Sequence, residues 1–261
     1  MNSLKVPSEL FSRVRNARSI AVITGAGMSA ESGVPTFRDA SSSLWASVDP
    51  MEMASPEGWR KDRARVWAWY EWRRGLVTKA QPNAGHIAIA RLATTMRLPS
   101  NDDTAVSVIT QNVDDLHERG GFHGALHVHG SLFSPRCGTC GKAAVFAGEP
   151  SLEPIERIDP PQCTICGGYV RPGVVWFGEN LDVQLMGRAM RCVQNCDVLL
   201  VVGTSGVVRP VSDLPRMARE RGAWVCEINP NPSDISSVAH LCWQGTAAQT
   251  LPALANSIAA R

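Results

Sequence analysis

The chain has 261 residues, 44% of them hydrophobic, which suffices for one large α/β domain or for a larger domain that carries a smaller one. A formal net charge of +2 without a Lys/Arg block predicts no direct binding of nucleic acid. No stretch approaches the roughly 20 apolar residues that cross a bilayer, and the first residues lack the apolar core of a signal peptide. We therefore expect a cytoplasmic protein without membrane contact.

Short apolar runs bounded by turn residues predict buried strands. They lie at 19–24, 105–110, 197–202 and 223–228, with helix-like stretches at 83–97 and 183–195. Continuous apolar strands that alternate with helices indicate a parallel sheet covered on both faces. Between about 137 and 171 the pattern gives way to Cys, Gly and Pro, so this part has too little core for a free-standing domain.

The turn after the first run reads Gly25-Ala-Gly27-Met-Ser-Ala30. It matches the Gly-x-Gly-x-x-Ala pattern, whose backbone approaches a pyrophosphate at the start of a helix. By itself the match leaves a plain glycine turn as the alternative. No acidic residue at the end of a clear second strand completes the usual dinucleotide fingerprint.

The helical stretch 66–74 places Tyr70 and Arg73 at positions i and i+3, which are neighbours on one helix face. A guanidinium group and a phenol hydroxyl together are able to bind a carboxylate through charge-assisted hydrogen bonds. The alternative is an amphipathic helix with a basic outer face, because Arg74 follows Arg73 directly.

Two Cys-x-x-Cys pairs predict one structural zinc ion, held by Cys137, Cys140, Cys163 and Cys166. Four protein ligands leave no open position for water, so the zinc would maintain structure and take no part in chemistry. The spacer between the pairs slightly exceeds the usual pattern, and redox dithiols are the alternative. The remaining cysteines stand singly and are expected in the core: Cys192, Cys196, Cys226 and Cys242.

The longer segment 25–38 closely resembles the first signature of the sirtuin family. Further matches follow in the expected order at 110–117, 127–131, the two cysteine pairs, 174–179, 203–205 and 228–230. The resemblance covers about residues 19–254. It implies a Rossmann-like NAD-binding domain (1–40, 84–130 and 172–261), a helical insertion that forms part of the acyl pocket (41–83) and a small zinc-binding module (131–171).

This resemblance implies an NAD-dependent protein deacylase. In the reaction of this family, the acyl oxygen of the substrate attacks C1′ of the nicotinamide ribose and displaces nicotinamide. A ribose hydroxyl, deprotonated by a histidine, then attacks the acyl carbon. Water finally yields free lysine and O-acyl-ADP-ribose, so NAD is consumed. His129 is expected to be the base, because it alone precedes the Gly-Ser of the family motif and an ordinary histidine pKa near 6.5 suits the task.

The resemblance also assigns residues to NAD. The phosphates are expected along Gly25, Ala26, Gly27, Ser29 and Ala30. The loop that closes over the nicotinamide ribose carries Phe37 and Arg38. The ribose and the nicotinamide amide are expected at Gln111, Asn112 and Asp114. For Asn112 and Asp114, a capped strand-to-helix turn is the alternative. The adenosine half is expected at Gly203, Thr204, Ser205, Asn229 and Ala247.

In the desuccinylase-like class III subgroup of sirtuins, a Tyr-x-x-Arg pair recognises succinyl-, malonyl- or glutaryl-lysine, and Ala54 matches a small residue that leaves room for a longer acyl chain. Acyl-lysine proteins or peptides are thus the expected partners, and acetyl-lysine still fits. The substrate contacts are expected at Ala54, Tyr70, Arg73, Val175, Phe177 and Gly178. The alternatives are a plain lysine deacetylase, a protein mono-ADP-ribosyltransferase and a non-catalytic module that senses NAD.

Overall fold

A computed structural model describes residues 4–35, 45, 48–96, 105–144 and 148–260. Within these ranges, parallel strands form a six-stranded sheet in the order β3-β2-β1-β6-β7-β8, and two antiparallel strands, β4 and β5, form a separate small sheet. The large sheet consists of β1 Ile20–Thr24, β2 Val106–Thr110, β3 Leu126–His127, β6 Val198–Val202, β7 Trp224–Asn229 and β8 Leu241–Gln244. The small sheet consists of β4 Gly130–Cys137 and β5 Val170–Val174.

The four predicted apolar runs form the four central strands of this sheet. Successive side chains of a strand point to opposite faces, so an apolar run without alternation requires cover on both sides. In β1, Ile20 and Val22 join a core with residues of the helices α1 (Ser8–Asn16), α5 (Ala84–Thr95) and α9 (Ala247–Ala259). Ala21 and Ile23 join a second core with residues of α7 (Val183–Gln194) and α8 (Leu214–Glu220). The predicted α/β fold class, with a parallel sheet covered on both faces, is confirmed.

The α-helices within the described ranges surround both sheets. They are α1 Ser8–Asn16, α2 Pro50–Met53, α3 Pro56–Lys61, α4 Arg63–Lys79, α5 Ala84–Thr95, α6 Leu116–Arg119, α7 Val183–Gln194, α8 Leu214–Glu220 and α9 Ala247–Ala259. None of the helices in this part of the chain is long and apolar enough to cross a membrane.

The helix α4 links the helical region to the small sheet. It begins after Asp62, whose side chain accepts a hydrogen bond from the Arg65 amide at 3.0 Å. Its aromatic side chains form a third core cluster with Leu132 of β4 and with Trp176, which follows β5. This cluster holds α4 against the segment that follows β5, and so positions the side chains of α4.

The expectation that all four single cysteines lie in the core was wrong for Cys242. Cys196 and Cys226 are buried and Cys192 is partly buried, whereas Cys242 is exposed. It lies on β8, the outer strand of the large sheet, which has a strand neighbour on one side only. An edge strand of this kind has less cover than the central strands, so its outward side chains remain accessible to solvent.

Candidate functional site

The carboxyl ends of the central strands carry most of the residues that the sequence assigns to NAD. Each strand is followed at once by one of these segments: β1 by 25–29, β2 by 111–114 and β6 by 203–205, while β7 ends on Asn229. We call this set the cofactor edge. Open α/β sheets bind ligands in the crevice outside the carboxyl ends of their parallel strands.

Two glycine turns meet at the cofactor edge. The Gly27 amide donates to the Gly203 carbonyl at 2.8 Å, and a Cβ on Gly27 would lie only 2.7 Å from the Gly203 Cα. Gly203 itself has a φ of +61°, a left-handed conformation that favours glycine. The two turns therefore contact each other through bare backbone, with no room for a side chain between them, and we call this backbone the glycine cradle. Bare backbone amides at strand ends fit a pyrophosphate.

The expected adenosine residues lie beside this cradle. The Gln111 side-chain amide donates to the Thr204 hydroxyl at 3.0 Å, and the Asn229 amide donates to the Thr204 carbonyl at 3.0 Å. Ser205 is exposed, and Ala247 is buried at the first position of α9. The structure thus joins three strand ends through Thr204.

Ser29 lies with the residues expected to hold the nicotinamide, inside the wall of the site. Its hydroxyl donates to Asp114 Oδ2 at 2.8 Å and accepts from the Asn112 amide at 3.1 Å, and Ser29 is 1% exposed. Burial raises the pKa of Asp114, although the Ser29 hydrogen bond opposes this effect. His86 Nε2 lies 3.5 Å from the same hydroxyl, and burial lowers the pKa of His86 to about 4.

His129 has the tautomer that a general base needs. Its Nδ1 lies 3.1 Å from the Gln111 carbonyl oxygen. Because a carbonyl only accepts, Nδ1 carries the proton and Nε2 is the acceptor nitrogen of the neutral ring. Burial lowers the pKa of His129 despite the opposing hydrogen bond to Gln111. The neutral, proton-accepting form therefore persists below the ordinary histidine pKa.

His127, two residues earlier, is held differently. Its Nδ1 faces the Asn112 carbonyl at 3.2 Å, and its Nε2 faces the Glu118 carboxylate at 3.1 Å. Both partners are acceptors, which suits a ring that carries two protons. Burial lowers the pKa of His127, but the hydrogen bond and charge of Glu118 outweigh burial and raise it. His127 therefore lacks the acceptor nitrogen that makes His129 suitable as a base.

The segment that leaves β5 connects His129 with the helical region. The Val175 amide donates to the His129 carbonyl at 2.8 Å, and the Phe177 amide donates to the Ala54 carbonyl at 2.9 Å. Between them, the Trp176 indole Nε1–H donates to the Tyr70 hydroxyl at 3.1 Å in a buried contact. Ala54 is buried, whereas Phe177 and Gly178 are exposed.

We call the side chains of Ala54, Tyr70, Arg73, Trp176 and Phe177 the aromatic cluster. The Arg73 guanidinium lies over the Trp69 ring, 4.9 Å from its centroid, and makes a long hydrogen bond of 3.5 Å to the Pro35 carbonyl. Pro35 belongs to the glycine-rich segment that begins at the cofactor edge. Arg73 therefore connects the aromatic cluster with that segment.

Arg74, the next residue, lines a cavity of about 230 Å³ that Tyr70 also lines. Its guanidinium forms an ion pair of 2.6 Å with Glu71 and donates to the Gly148 carbonyl at 2.8 Å. The charge of Arg74 is thus matched by a carboxylate of the same helix. The cavity is lined by Trp67, Tyr70, Glu71, Arg74, Leu132, Phe133, Pro135, Ala144 and Pro172.

The four paired cysteines converge on one point. The Sγ atoms of Cys137, Cys140, Cys163 and Cys166 all lie within 4.8 Å of one another. Two of the separations are 3.5 Å and 3.9 Å, close to the roughly 3.8 Å between sulfurs in a tetrahedron with Zn–S bonds of about 2.3 Å. A disulfide bond would bring two Sγ atoms to about 2.05 Å from each other. The longer Sγ separations therefore fit zinc ligands and exclude a disulfide.

Two of the expected site residues, Phe37 and Arg38, lie outside the described residues. Conversely, the sequence reading assigned no role to Trp176, although it lies in the motif 174–179 between two expected substrate residues. Its position between Val175 and Phe177 was the sequence feature that could have marked Trp176 as a site residue. Its partner Tyr70 is 106 residues away in sequence, so only the structure reveals the contact.

Comparisons with known proteins agree with this geometry. A family model described as the Sir2 family matches residues 25–210. A Corynebacterium glutamicum NAD-dependent protein deacylase is 47% identical over 94% of this chain and 93% of the relative. The Pseudomonas aeruginosa NAD-dependent protein deacylase 1 is 50% identical over 91% and 93%. A crystal structure of a Sir2 homologue with NAD superimposes with a TM-score of 0.87 at 39% identity, over 99% of this chain and 96% of that chain.

Proposed function

Because this chain belongs to the Sir2 family and is an NAD-dependent protein-lysine deacylase, we propose that it acts preferentially on lysines whose acyl group ends in a carboxylate. Succinyl-, malonyl- and glutaryl-lysine have this chemistry, and acetyl-lysine is a poorer substrate. The observation that carries the proposal is the pairing of Tyr70 and Arg73 on α4, beside the segment bonded to His129.

Three consecutive residues support the link between catalysis and selection. Val175 is hydrogen-bonded to the His129 backbone, Trp176 to the Tyr70 hydroxyl, and Phe177 to the Ala54 backbone. An acyl chain that begins near His129 and runs along this segment reaches Tyr70 at its far end. The backbone of small Ala54 borders the same path, which leaves space for a longer chain.

The chemistry of the pair suits a carboxylate. Burial raises the pKa of Tyr70 well above its usual value, so the hydroxyl keeps its proton and can donate. Arg73 supplies a cation beside this donor, and a phenol with a guanidinium fork makes charge-assisted hydrogen bonds to a carboxylate. Arg74 is the weaker candidate, because its guanidinium is already paired with Glu71 at 2.6 Å.

The remaining site residues are proposed to act on every acyl group alike. NAD, when bound, supplies the ribose carbon to which the acyl oxygen is transferred. The cradle of Gly27 and Gly203 would hold its phosphates, and Asn112 and Asp114 would hold its nicotinamide half. His129 Nε2 would remove the proton from a ribose hydroxyl.

The four cysteines would hold zinc as a purely structural ion that supports the small sheet. We propose the division into 1–40, 84–130 and 172–261 for NAD, 41–83 for the acyl group and 131–171 for zinc. A cytoplasmic location is part of this proposal, because a reducing compartment keeps four metal-binding thiols available.

The experiment uses one peptide sequence that carries acetyl-, succinyl-, malonyl- or glutaryl-lysine, incubated with wild-type protein and NAD. Mass spectrometry follows the free peptide, nicotinamide and O-acyl-ADP-ribose, and reactions without NAD are the control. The proposal predicts faster loss of the carboxylated groups than of acetyl. Equal or faster removal of acetyl would indicate a plain deacetylase, and ADP-ribose attached to the peptide would indicate a mono-ADP-ribosyltransferase.

A further inference from the structure

The hydrogen bond between Trp176 and Tyr70 has only one possible direction. An indole N–H is a donor and never an acceptor, whereas a phenol oxygen both donates and accepts. The 3.1 Å contact from Trp176 Nε1 therefore occupies an acceptor site on the Tyr70 oxygen. The Tyr70 proton has to point away from Trp176, towards a different acceptor.

Trp176 is itself held on several sides. The Arg171 guanidinium lies over its ring, 3.3 Å from the ring centroid, and the Trp59 ring lies 5.6 Å away on centroid distance. Its backbone amide donates to Glu179 Oε2 at 2.9 Å, and Glu179 also accepts from Arg171 at 2.9 Å. The indole is 2% exposed. The position of the Trp176 N–H is therefore fixed, and the orientation of the Tyr70 hydroxyl adjusts to it.

We infer that Trp176 is a specificity-determining positioning residue, which directs the Tyr70 hydroxyl proton towards the carboxylate of the acyl group. The inference rests on the proposed function and adds a residue that touches neither NAD nor the reacting atoms. A hydroxyl that already accepts a hydrogen bond is also a stronger donor, because successive hydrogen bonds polarise one another. Acetyl-lysine has no carboxylate and gains nothing from this arrangement.

The test is a double-mutant cycle with Trp176→Phe, Tyr70→Phe and the double variant, assayed on succinyl- and acetyl-lysine peptides of one sequence. Phenylalanine keeps an aromatic ring at 176 and removes the N–H. We expect Trp176→Phe to lower the ratio of succinyl to acetyl kcat/KM about twofold to tenfold, the range of one neutral hydrogen bond, because only the succinyl group has a carboxylate for the Tyr70 hydroxyl. In the Tyr70→Phe background, Trp176→Phe should cause no further change in this ratio.

Trp224→Phe is the matched control. Trp224 is similarly buried, and its indole Nε1–H donates to Glu9 Oε1 at 3.2 Å. It lies at the amino end of β7, away from the strand ends that carry the site. This variant also loses an indole hydrogen bond, and we expect the ratio of succinyl to acetyl activity to stay at the wild-type value.

The outcomes separate the inference from the proposed function. If Arg73→Met selectively loses desuccinylation while Trp176→Phe lowers both activities in parallel, or if the cycle is additive, the inference is overturned and the proposed function stands. If the wild-type protein does not favour succinyl-lysine, both fall. Should Trp176→Phe fail to fold, benzothienylalanine at position 176 replaces the N–H by sulfur in the same shape and gives the same decision.

Discussion

The cofactor edge and the aromatic cluster meet at His129, yet the chain builds them in different ways. At the cofactor edge, short segments directly follow the central strands, and they contact each other through glycine backbone, as at Gly27 and Gly203. The aromatic cluster packs on the small sheet, through Leu132 of β4 and Val174 of β5, and draws its side chains from distant segments. It unites Ala54, a helix that bears Tyr70, and Trp176 from the segment after β5.

The two regions are proposed to divide the work of the enzyme. Backbone at the strand ends would bind NAD, which every deacylation consumes, so a defect there should affect every acyl group equally. Side chains from distant segments would surround the acyl group, which differs between substrates, so a defect there should change the ratio between acyl groups. Three variants and one pH profile test this division.

The largest effect is expected from Cys163→Ala. A structural zinc site contributes folding free energy, with apparent values of about 10–16 kcal/mol in zinc-finger peptides. The small sheet should lose its order, and with it the support of His129 and Trp176, so turnover should vanish while the large sheet stays folded. Zinc content by mass spectrometry and NAD binding by calorimetry check this. The half-buried Cys192→Ala is the control, and stoichiometric zinc in Cys163→Ala would contradict the assignment.

His129→Ala comes second. Loss of a general base lowers turnover about 10²–10⁴-fold, and the factor should be the same for acetyl- and succinyl-lysine because the base acts on the ribose. NAD binding should remain close to wild type. The exposed His123→Ala serves as the control and should be nearly silent. Wild-type turnover by His129→Ala would assign the base elsewhere.

Ala54→Leu should act on the aromatic cluster alone. Ala54 is 4% exposed and packs with Tyr70 and Trp176, so in our proposal the added atoms would crowd the cluster that a long acyl chain has to enter. Overpacking of this kind costs about 1–3 kcal/mol, so we expect roughly a tenfold loss of desuccinylation and a smaller loss of deacetylation. The ratio of the two kcat/KM values is the measurement. Ala54→Gly, which leaves the space open, is the control, and an unchanged ratio in Ala54→Leu would remove Ala54 from selection.

The smallest effect concerns pH. As the proposed base, His129 would act as the neutral ring, and burial lowers its pKa, so the active form should persist as pH falls and be lost only below the ordinary value of about 6.5. The pH profile of kcat/KM should therefore keep more than about half of its plateau at pH 6.5, with either acyl group. An acidic midpoint at or above about 6.5 would show that burial does not set this titration.

The sequence predicted the central strands well, because both faces of each strand are buried and the runs are continuously apolar. The runs 19–24 and 105–110 differ from β1 and β2 by one residue. The edge strands β3 and β8 were not predicted, since a strand of two or four residues with cover on one side has no such run. Pattern reading detects burial, and these strands are buried least.

For the site, the ordered motifs and the cysteine pairs led to the residues that the structure brings together. The contacts between motifs were not predictable, because no local pattern encodes them. The pairing of His127 with Glu118 and the bond of Trp176 to Tyr70 depend on how separate segments pack. These contacts assign a protonation state and a donor direction, which a sequence motif cannot do.

A competition assay tests the proposed preference for carboxylated acyl groups most directly. Equal amounts of succinyl- and acetyl-lysine peptide react with NAD in a single mixture, with either wild-type protein or Arg73→Met, so that enzyme concentration and NAD binding cancel in the ratio of the two rates. A lost hydrogen bond to a charged group costs about 1.5–3 kcal/mol. We expect the rate on the succinyl peptide to exceed the rate on the acetyl peptide for wild type. In Arg73→Met, the ratio of the two rates should fall about tenfold to a hundredfold through loss of desuccinylation alone. Equal losses on both peptides would contradict it, and would make Arg73 a support of the fold.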